Sequence, residues 1–251
     1  MPHCEYRLEG KIALVTGAAA RIGAQICRSL HAAGCDVVLH YRRSADRAEA
    51  LAGELNTRRP DSAFALQADL ADMQAIEPLA AAALDLRGRL DILVNNASSY
   101  YPTPVGSVTQ AQWDDLFASN ARAPFFLAQA LAPALRAHQG CIVNLVDIHA
   151  ERPNAHHPVY SMAKAANAMM VKALARDLAP EVRVNGVAPG AALWPEHYFD
   201  DQDRLAILER IPLGRPAGAE EIAAAVLFMI AGTDYVTGQI LAVDGGRSVQ
   251  Q

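Results

Sequence analysis

Tyr160 and Lys164 stand four residues apart in Tyr160-Ser161-Met162-Ala163-Lys164, a stretch of helical period, so their side chains share one face. A tyrosine beside an ammonium group is a pairing for acid–base chemistry. A free phenol titrates near 10 and is a poor acid at neutral pH. A neighbouring cation favours the phenolate and is expected to lower that value. A shift of about three units corresponds to roughly 4 kcal/mol of differential stabilisation.

A second constellation lies near the N-terminus. Thr16-Gly17-Ala18-Ala19-Ala20-Arg21-Ile22-Gly23 follows a short apolar run and opens a helical pattern. That context suits a dinucleotide loop, because amides at a helix N-terminus point at pyrophosphate. Gly17, Arg21 and Ile22 are therefore cofactor candidates. Arg21 takes the place of the usual middle glycine and sets a guanidinium where phosphate oxygens and substrate both lie; a surface arginine on the first helical turn is the plainer alternative.

The next apolar run ends in His40-Tyr41-Arg42-Arg43-Ser44. A protein that binds NAD carries Asp or Glu in this zone to accept the ribose 2′-hydroxyl. Two arginines and a serine suit a 2′-phosphate instead. A carboxylate would repel that phosphate, so its absence counts as much as the arginines do. NADPH is the expected cofactor, with His40, Tyr41, Arg42, Arg43 and Ser44 near it.

These residues need a scaffold, and the pattern of the chain supplies one. Apolar runs at Ile12–Thr16, Asp36–Tyr41, Ala63–Gln67, Ile92–Val94, Cys141–Val146, Val182–Val187 and Ile240–Val243 predict seven strands. Several lack alternation, as strands covered on both faces do. Helical stretches such as Ile22–Ala33 and Ala45–Leu55 lie between them. Thr109 with Gln112 fits a capping box, and Asp72 fits an N-cap. Repeated strand–helix–strand units predict an α/β fold: a single Rossmann-like doubly wound parallel seven-stranded sheet with helices on both faces. One domain over residues 1–251 is expected, with a cofactor half at about 8–150 and a catalytic half at about 151–248. Residues 191–210, with Trp194, Pro195, His197, Tyr198 and Phe199, show no clean period and read as a lid or an ordinary surface loop.

Composition narrows the class. The chain has 251 residues, 52% hydrophobic and 20% charged, with net charge −5. No basic stripe offers a footprint for nucleic acid. The longest apolar run, Ile222–Ala231, is too short to span a bilayer, and the N-terminus lacks the apolar core of a secretory signal. Cys4, Cys27, Cys35 and Cys141 form no CxxC pair, so no zinc site is expected and four reduced thiols in a cytoplasmic protein are.

Further motifs follow in order: Asp69-Leu70, Asn95-Asn96-Ala97-Ser98, Asn120 inside a long helix, Tyr160 with Lys164, and Pro189-Gly190. From Lys11 to Gly246 the chain resembles the short-chain dehydrogenase/reductase family. The resemblance implies a proton-donating Tyr160, a Lys164 that also holds the nicotinamide ribose, and an Asn120 that supports a water chain. The positive ring of NADP+ would favour the Tyr160 phenolate further. It assigns Asp69 and Leu70 to the adenine pocket, and Asn96, Ala97, Pro189 and Gly190 to the cofactor. Asp244-Gly245-Gly246 resembles a segment that supports subunit contacts. A homotetramer through two long helices, roughly Ala111–Ala137 and Val159–Ala179, is implied as well.

One departure is chemical. Most of the family has serine thirteen residues before the tyrosine, donating to a substrate carbonyl; here the residue is Asp147. An ionised carboxylate cannot donate, and it opposes phenolate formation. It accepts N–H groups and passes a proton to tyrosine, which favours a nitrogen heterocycle over a ketone. With Arg21, the His40–Ser44 segment and the Asn96–Pro104 segment, this resembles the pteridine reductase branch. That branch implies pterin contacts from Ser98 and Arg21 and stacking by Tyr100. The expected reaction is NADPH-dependent reduction of a pterin C=N bond, with dihydrobiopterin, dihydromonapterin or dihydrofolate as substrate and Asp147, Tyr160, Lys164 and Asn120 as catalytic residues. A 3-oxoacyl carrier-protein or other carbonyl reductase is one alternative, and a silent NADPH-sensing regulatory protein is another. His149, His156 and His157 read as proton relays or as solvated loop histidines.

Overall fold

The computed structural model describes residues 6–192 and 201–250, the side chains of 201–203 excepted. The expectations for Cys4 and for Trp194 to Phe199 lie outside the described residues.

Seven strands form one parallel sheet: β1 (Ile12–Val15), β2 (Asp36–Tyr41), β3 (Ala63–Gln67), β4 (Ile92–Asn95), β5 (Cys141–Leu145), β6 (Arg183–Pro189) and β7 (Ile240–Val243). Their order is β3-β2-β1-β4-β5-β6-β7. Successive side chains point to opposite faces, and here both faces are apolar. Ala13 and Val15 of β1, with Val37 and Leu39 of β2, pack under α1 (Arg21–Ala32), α2 (Ala45–Arg58) and α8 (Ala219–Ala231). Ile12, Leu14 and Val38 face the other way, toward α3 (Ile76–Asp85), α5 (Ala123–Ala137) and α6 (Pro158–Asp177). The remaining helices are α4 (Gln110–Phe117) and α7 (Asp201–Leu208). This is the predicted Rossmann-like doubly wound sheet in one domain.

Strand boundaries moved by a residue or two, for identifiable reasons. β6 continues to Pro189 because it pairs with β7 up to Pro189↔Val243, whereas its pairing with β5 ends at Leu145↔Val187. Beyond β5 the missing proline N–H has no ladder partner to deprive. The predicted caps form: the Thr109 side chain accepts from the Gln112 amide, and Asp72 accepts from the Gln74 amide.

The long helix expected over 111–137 is interrupted. A π-turn, Ala118–Arg122, joins α4 to α5. Pro124 is the cause: it lacks the N–H that the Asn120 carbonyl would accept in an α-helix, and its ring crowds that carbonyl. The turn leaves the Asn120 carbonyl open to a side-chain donor, and it receives one.

Candidate active site

The C-terminal ends of the strands of an open parallel sheet form its ligand crevice. The turn after β1 lies there, and it is held rigidly. The Gly17 amide donates to His40 Nδ1 (3.1 Å), and His40 Nε2 lies 3.1 Å from the Ala68 carbonyl. The ring thus accepts at Nδ1 and must carry its proton at Nε2. Burial lowers the His40 pKa, which keeps it in that neutral form. His40 therefore stands behind the turn as a clasp. Thr16, which the motif analysis passed over, holds the other side: its Oγ1 accepts the Asn96 and Ala97 amides at 2.9 and 3.0 Å. Asn96 Nδ2 donates back to the Thr16 and Gly17 carbonyls. Arg21 has φ 54°, the left-handed conformation of the glycine it replaces, so the turn keeps its shape at a non-glycine residue.

At the end of β2, Arg42 and Arg43 are exposed. Arg42 pairs with Asp69 at 2.9 Å, and Arg43 makes no side-chain hydrogen bond or ion pair among the described residues. Ser44 occupies the N-cap of α2 without using its hydroxyl as a cap. No carboxylate lies among residues 40–44, so the set fits a 2′-phosphate. Tyr41 is half-buried; Leu70 is buried in the apolar core and offers only its backbone.

A cavity of about 700 Å³ opens beside this turn. Arg21, Ile22, Asn96, Ser98, Tyr100, Asp147, Tyr160, Lys164, Pro189 and Gly190 all line it. Gly17, Ala97, Asn120, Asp69 and the His40–Ser44 segment do not line it.

At the cavity floor Tyr160 Oη donates to Asp147 Oδ2 at 2.7 Å, while Asp147 Oδ1 accepts the His149 amide at 2.8 Å. Burial, followed by the charge of Asp147, holds the Tyr160 phenol well above its ordinary pKa. The sequence expectation of a lowered phenol is corrected here. The Lys164 ammonium is 5.7 Å from the Tyr160 ring centroid, and Nζ donates to the Leu145 carbonyl at 2.8 Å rather than to the phenol. Lys164 is itself buried, and desolvation lowers it to about 8. Tyr160 is thus a protonated phenol held by a carboxylate.

Above this pair, the Tyr100 ring stacks on His157 (4.6 Å, 8°) and meets Tyr160 edge-on (4.8 Å, 80°). Asn154 Nδ2 donates to Tyr100 Oη at 3.0 Å. His149, His156 and His157 all line the cavity; His156 is exposed on a turn, as a solvated loop histidine would be, while His149 and His157 are half-buried.

Beneath the cavity runs a chain of buried amides absent from the motif reading apart from its ends. Asn95 donates to Asn144 (2.9 Å), Asn144 to Asn167 (2.9 Å), and Asn167 to the Asn120 carbonyl (2.7 Å). The Asn120 side chain accepts from Ser98 Oγ (2.7 Å) and donates to the Ser99 carbonyl (3.0 Å). The chain ties β4, β5 and α6 to the π-turn and the loop bearing Ser98 and Tyr100. The Asn120 backbone carbonyl thus accepts from Asn167. Asn144 and Asn167 carry no motif signal; their isolation among apolar neighbours in β5 and α6 was the available clue.

Known proteins place this arrangement. A family profile described as Enoyl-(Acyl carrier protein) reductase matches residues 17–248. The chain is 39% identical to pteridine reductase 1 of Leishmania tarentolae, covering 95% of this chain and 96% of that protein. It is 36% identical to L-xylulose reductase of Bos taurus (96% and 98% covered) and 33% identical to a 3-oxoacyl-(acyl-carrier-protein) reductase of Staphylococcus aureus strain Mu50 (94% and 97%). The chain belongs to the short-chain dehydrogenase/reductase family and is an oxidoreductase of that family, whose members use NAD(H) or NADP(H).

Proposed function

We propose that this protein reduces the C=N bond of a dihydropterin with NADPH. The observation that carries the proposal is the 2.7 Å hydrogen bond from Tyr160 Oη to Asp147 Oδ2 on the wall of the cavity. At this position a serine would donate to a substrate carbonyl; a carboxylate only accepts, so it matches the N–H edge of a nitrogen heterocycle. Tyr100 offers an exposed aromatic ring beside it for a flat bicyclic substrate. The 39% identity to a pteridine reductase supports the same reading.

NADPH, when bound, supplies the hydride. Gly17, Arg21, Ile22, Asn96, Ala97, Pro189 and Gly190 would hold its pyrophosphate and nicotinamide ends, and Arg42, Arg43 and Ser44 its 2′-phosphate, with Asp69 and Leu70 near the adenine. Ser98 and Arg21 would orient the pterin. Tyr160 keeps its proton until the substrate nitrogen needs it, because burial and Asp147 oppose ionisation. When that proton leaves, the Lys164 ammonium compensates the phenolate. Asp147 accepts a substrate N–H. After the phenol has given up its proton, a proton taken from solvent by Asp147 passes along its bond to Tyr160 and restores the phenol. Asn120 would hold the π-turn and a water that reaches Lys164. Three described cysteines are buried and unpaired, which supports the cytoplasm. Exposed Phe125 and Met169 on α5 and α6 support a homotetramer built through those helices.

The test follows loss of NADPH absorbance with purified protein given dihydrobiopterin, dihydrofolate or an acetoacetyl thioester, each repeated with NADH. Pterin turnover that needs NADPH and drops by about 100-fold or more in Asp147→Ala is expected, the scale of a lost proton-transfer group. Turnover of the thioester alone would transfer the assignment to a carbonyl reductase, and tight NADPH binding without any turnover to a regulatory role.

A further inference from the structure

The segment Asp244-Gly245-Gly246 leads the chain directly to Arg247 on the wall of the cavity. The Asp244 carboxylate accepts the Gly246 and Ser248 amides at 2.9 and 2.6 Å, closing a tight turn after β7. Gly245 and Gly246 have φ of 63° and 88°, conformations that side chains resist. Both also pack against the segment after α7. A Cβ at Gly245 would meet Ile211 at 2.7 Å, and one at Gly246 would meet Pro212 at 2.9 Å. The Leu213 amide donates to the Gly245 carbonyl at 3.0 Å. Two chain segments are thereby locked together, and each ends in an arginine on the cavity wall: Arg247 on one, Arg210 on the other.

Neither guanidinium makes a hydrogen bond or an ion pair with a described residue. Arg247 is half-buried; burial opposes its charge, the nearby Asp147 offsets part of that, and Arg210 adds repulsion. Asp147 is the single carboxylate among the described lining residues, and its two oxygens are engaged by Tyr160 and the His149 amide. The half-buried Arg247 and the exposed Arg210 thus share the field of one lining carboxylate whose oxygens already have partners. A planar carboxylate on a ligand matches the donor geometry that both guanidinium groups leave unused.

We propose that Arg247, with Arg210, binds a carboxylate on the side arm of the substrate, so that the protein prefers a pterin with an anionic arm to one with a neutral arm. This rests on the pterin reading above, but its chemistry lies at the other end of the ligand and can be tested apart from it.

Calorimetric titration of NADP+-loaded protein with folate, with biopterin and with 4-aminobenzoylglutamate, which is the arm without the pterin, separates the two. The expected result is folate binding about tenfold or more tighter than biopterin, the scale of one charge-assisted pair. Arg247→Gln should bring that ratio down to about two, Arg247→Lys should retain most of it, and Arg210→Gln should lower it in part. Equal affinity for folate and biopterin in the parent protein, or a ratio unchanged in Arg247→Gln, overturns the inference while leaving the pterin reading intact. Arm binding that is lost in Arg247→Gln, with no binding of biopterin, upholds the inference and overturns the pterin reading. Binding of none of the three overturns both. Retained NADPH affinity in each variant shows that it is folded.

Discussion

Lys164 is the residue at which the fold works against itself. Its ammonium is buried with one carbonyl partner, and desolvation lowers its pKa to about 8. An unfolded lysine titrates near 10.4, so the gap corresponds to roughly 3 kcal/mol against folding at neutral pH. The direction follows from proton binding. The folded value is depressed, so the unfolded chain binds the proton more tightly. Stability is highest above the unfolded value and is lost as pH falls through about 8. Lys164→Met removes that cost and leaves the Leu145 carbonyl unpaired, a loss of about 1 kcal/mol. We therefore expect ligand-free Lys164→Met to melt several degrees above the parent at pH 7, to converge with it toward pH 10.5, and to have lost activity. A lower melting temperature at pH 7 would mean that the ammonium is stabilised in a way the geometry does not show. The pairing of Tyr160 with Lys164 was legible from their spacing. The direction of the phenol's shift was not, because it depends on how completely Tyr160 is buried and on Asp147 accepting from it, neither of which spacing reports.

At the scale of elements, the amide chain under the cavity joins parts that are distant in sequence. Asn167 gives its two polar ends to Asn144 and to the Asn120 carbonyl. Replacing it with leucine strands a buried donor and a buried acceptor, each costing about 1–3 kcal/mol. Asn167→Leu should lower the urea midpoint by an amount equivalent to about 2–6 kcal/mol. It should also raise the KM for pterin, since the π-turn positions Ser98 through Asn120. An unchanged midpoint would show that the chain is not a fixed unit. The seven strands were readable because their apolar runs lack alternation and lie between turn signals. The break in the helix over 111–137 was readable in principle from Pro124, but apolar periodicity continues through a π-turn and concealed it. Asn144 and Asn167 could be suspected as buried amides from their apolar surroundings, but the chain they form could not be read, because an isolated asparagine gives no hint of its partner.

For the whole molecule, the two apolar cores account for the sheet and its covering helices but not for the outer surface of α5 and α6. Phe125 is 40% exposed and Met169 is 62% exposed, beside a shallow recess lined by Phe117, Phe126 and Met170. Apolar surface gathered on one face marks an interface. A second copy of this chain is the occupant that the proposed tetramer requires. Met169→Glu places a charge in that face without touching either core, so light scattering should show smaller particles while the circular dichroism spectrum stays the same. An unchanged particle mass would move the interface elsewhere. No described helix is long and apolar enough to cross a membrane. Of the site as a whole, the half carried by motifs could be named in advance. The half contributed by Arg210 and Arg247 could not, since it comes together only when the C-terminal turn folds onto the segment after α7.

The buried lysine also bears on how variants of this chain should be chosen. A library sorted on heat resistance alone would enrich substitutions at Lys164, and its winners would be sturdier and inert. Sorting in the presence of saturating cofactor reverses that pressure, because a ligand that binds only the folded chain adds its own stabilisation to those variants that still hold it.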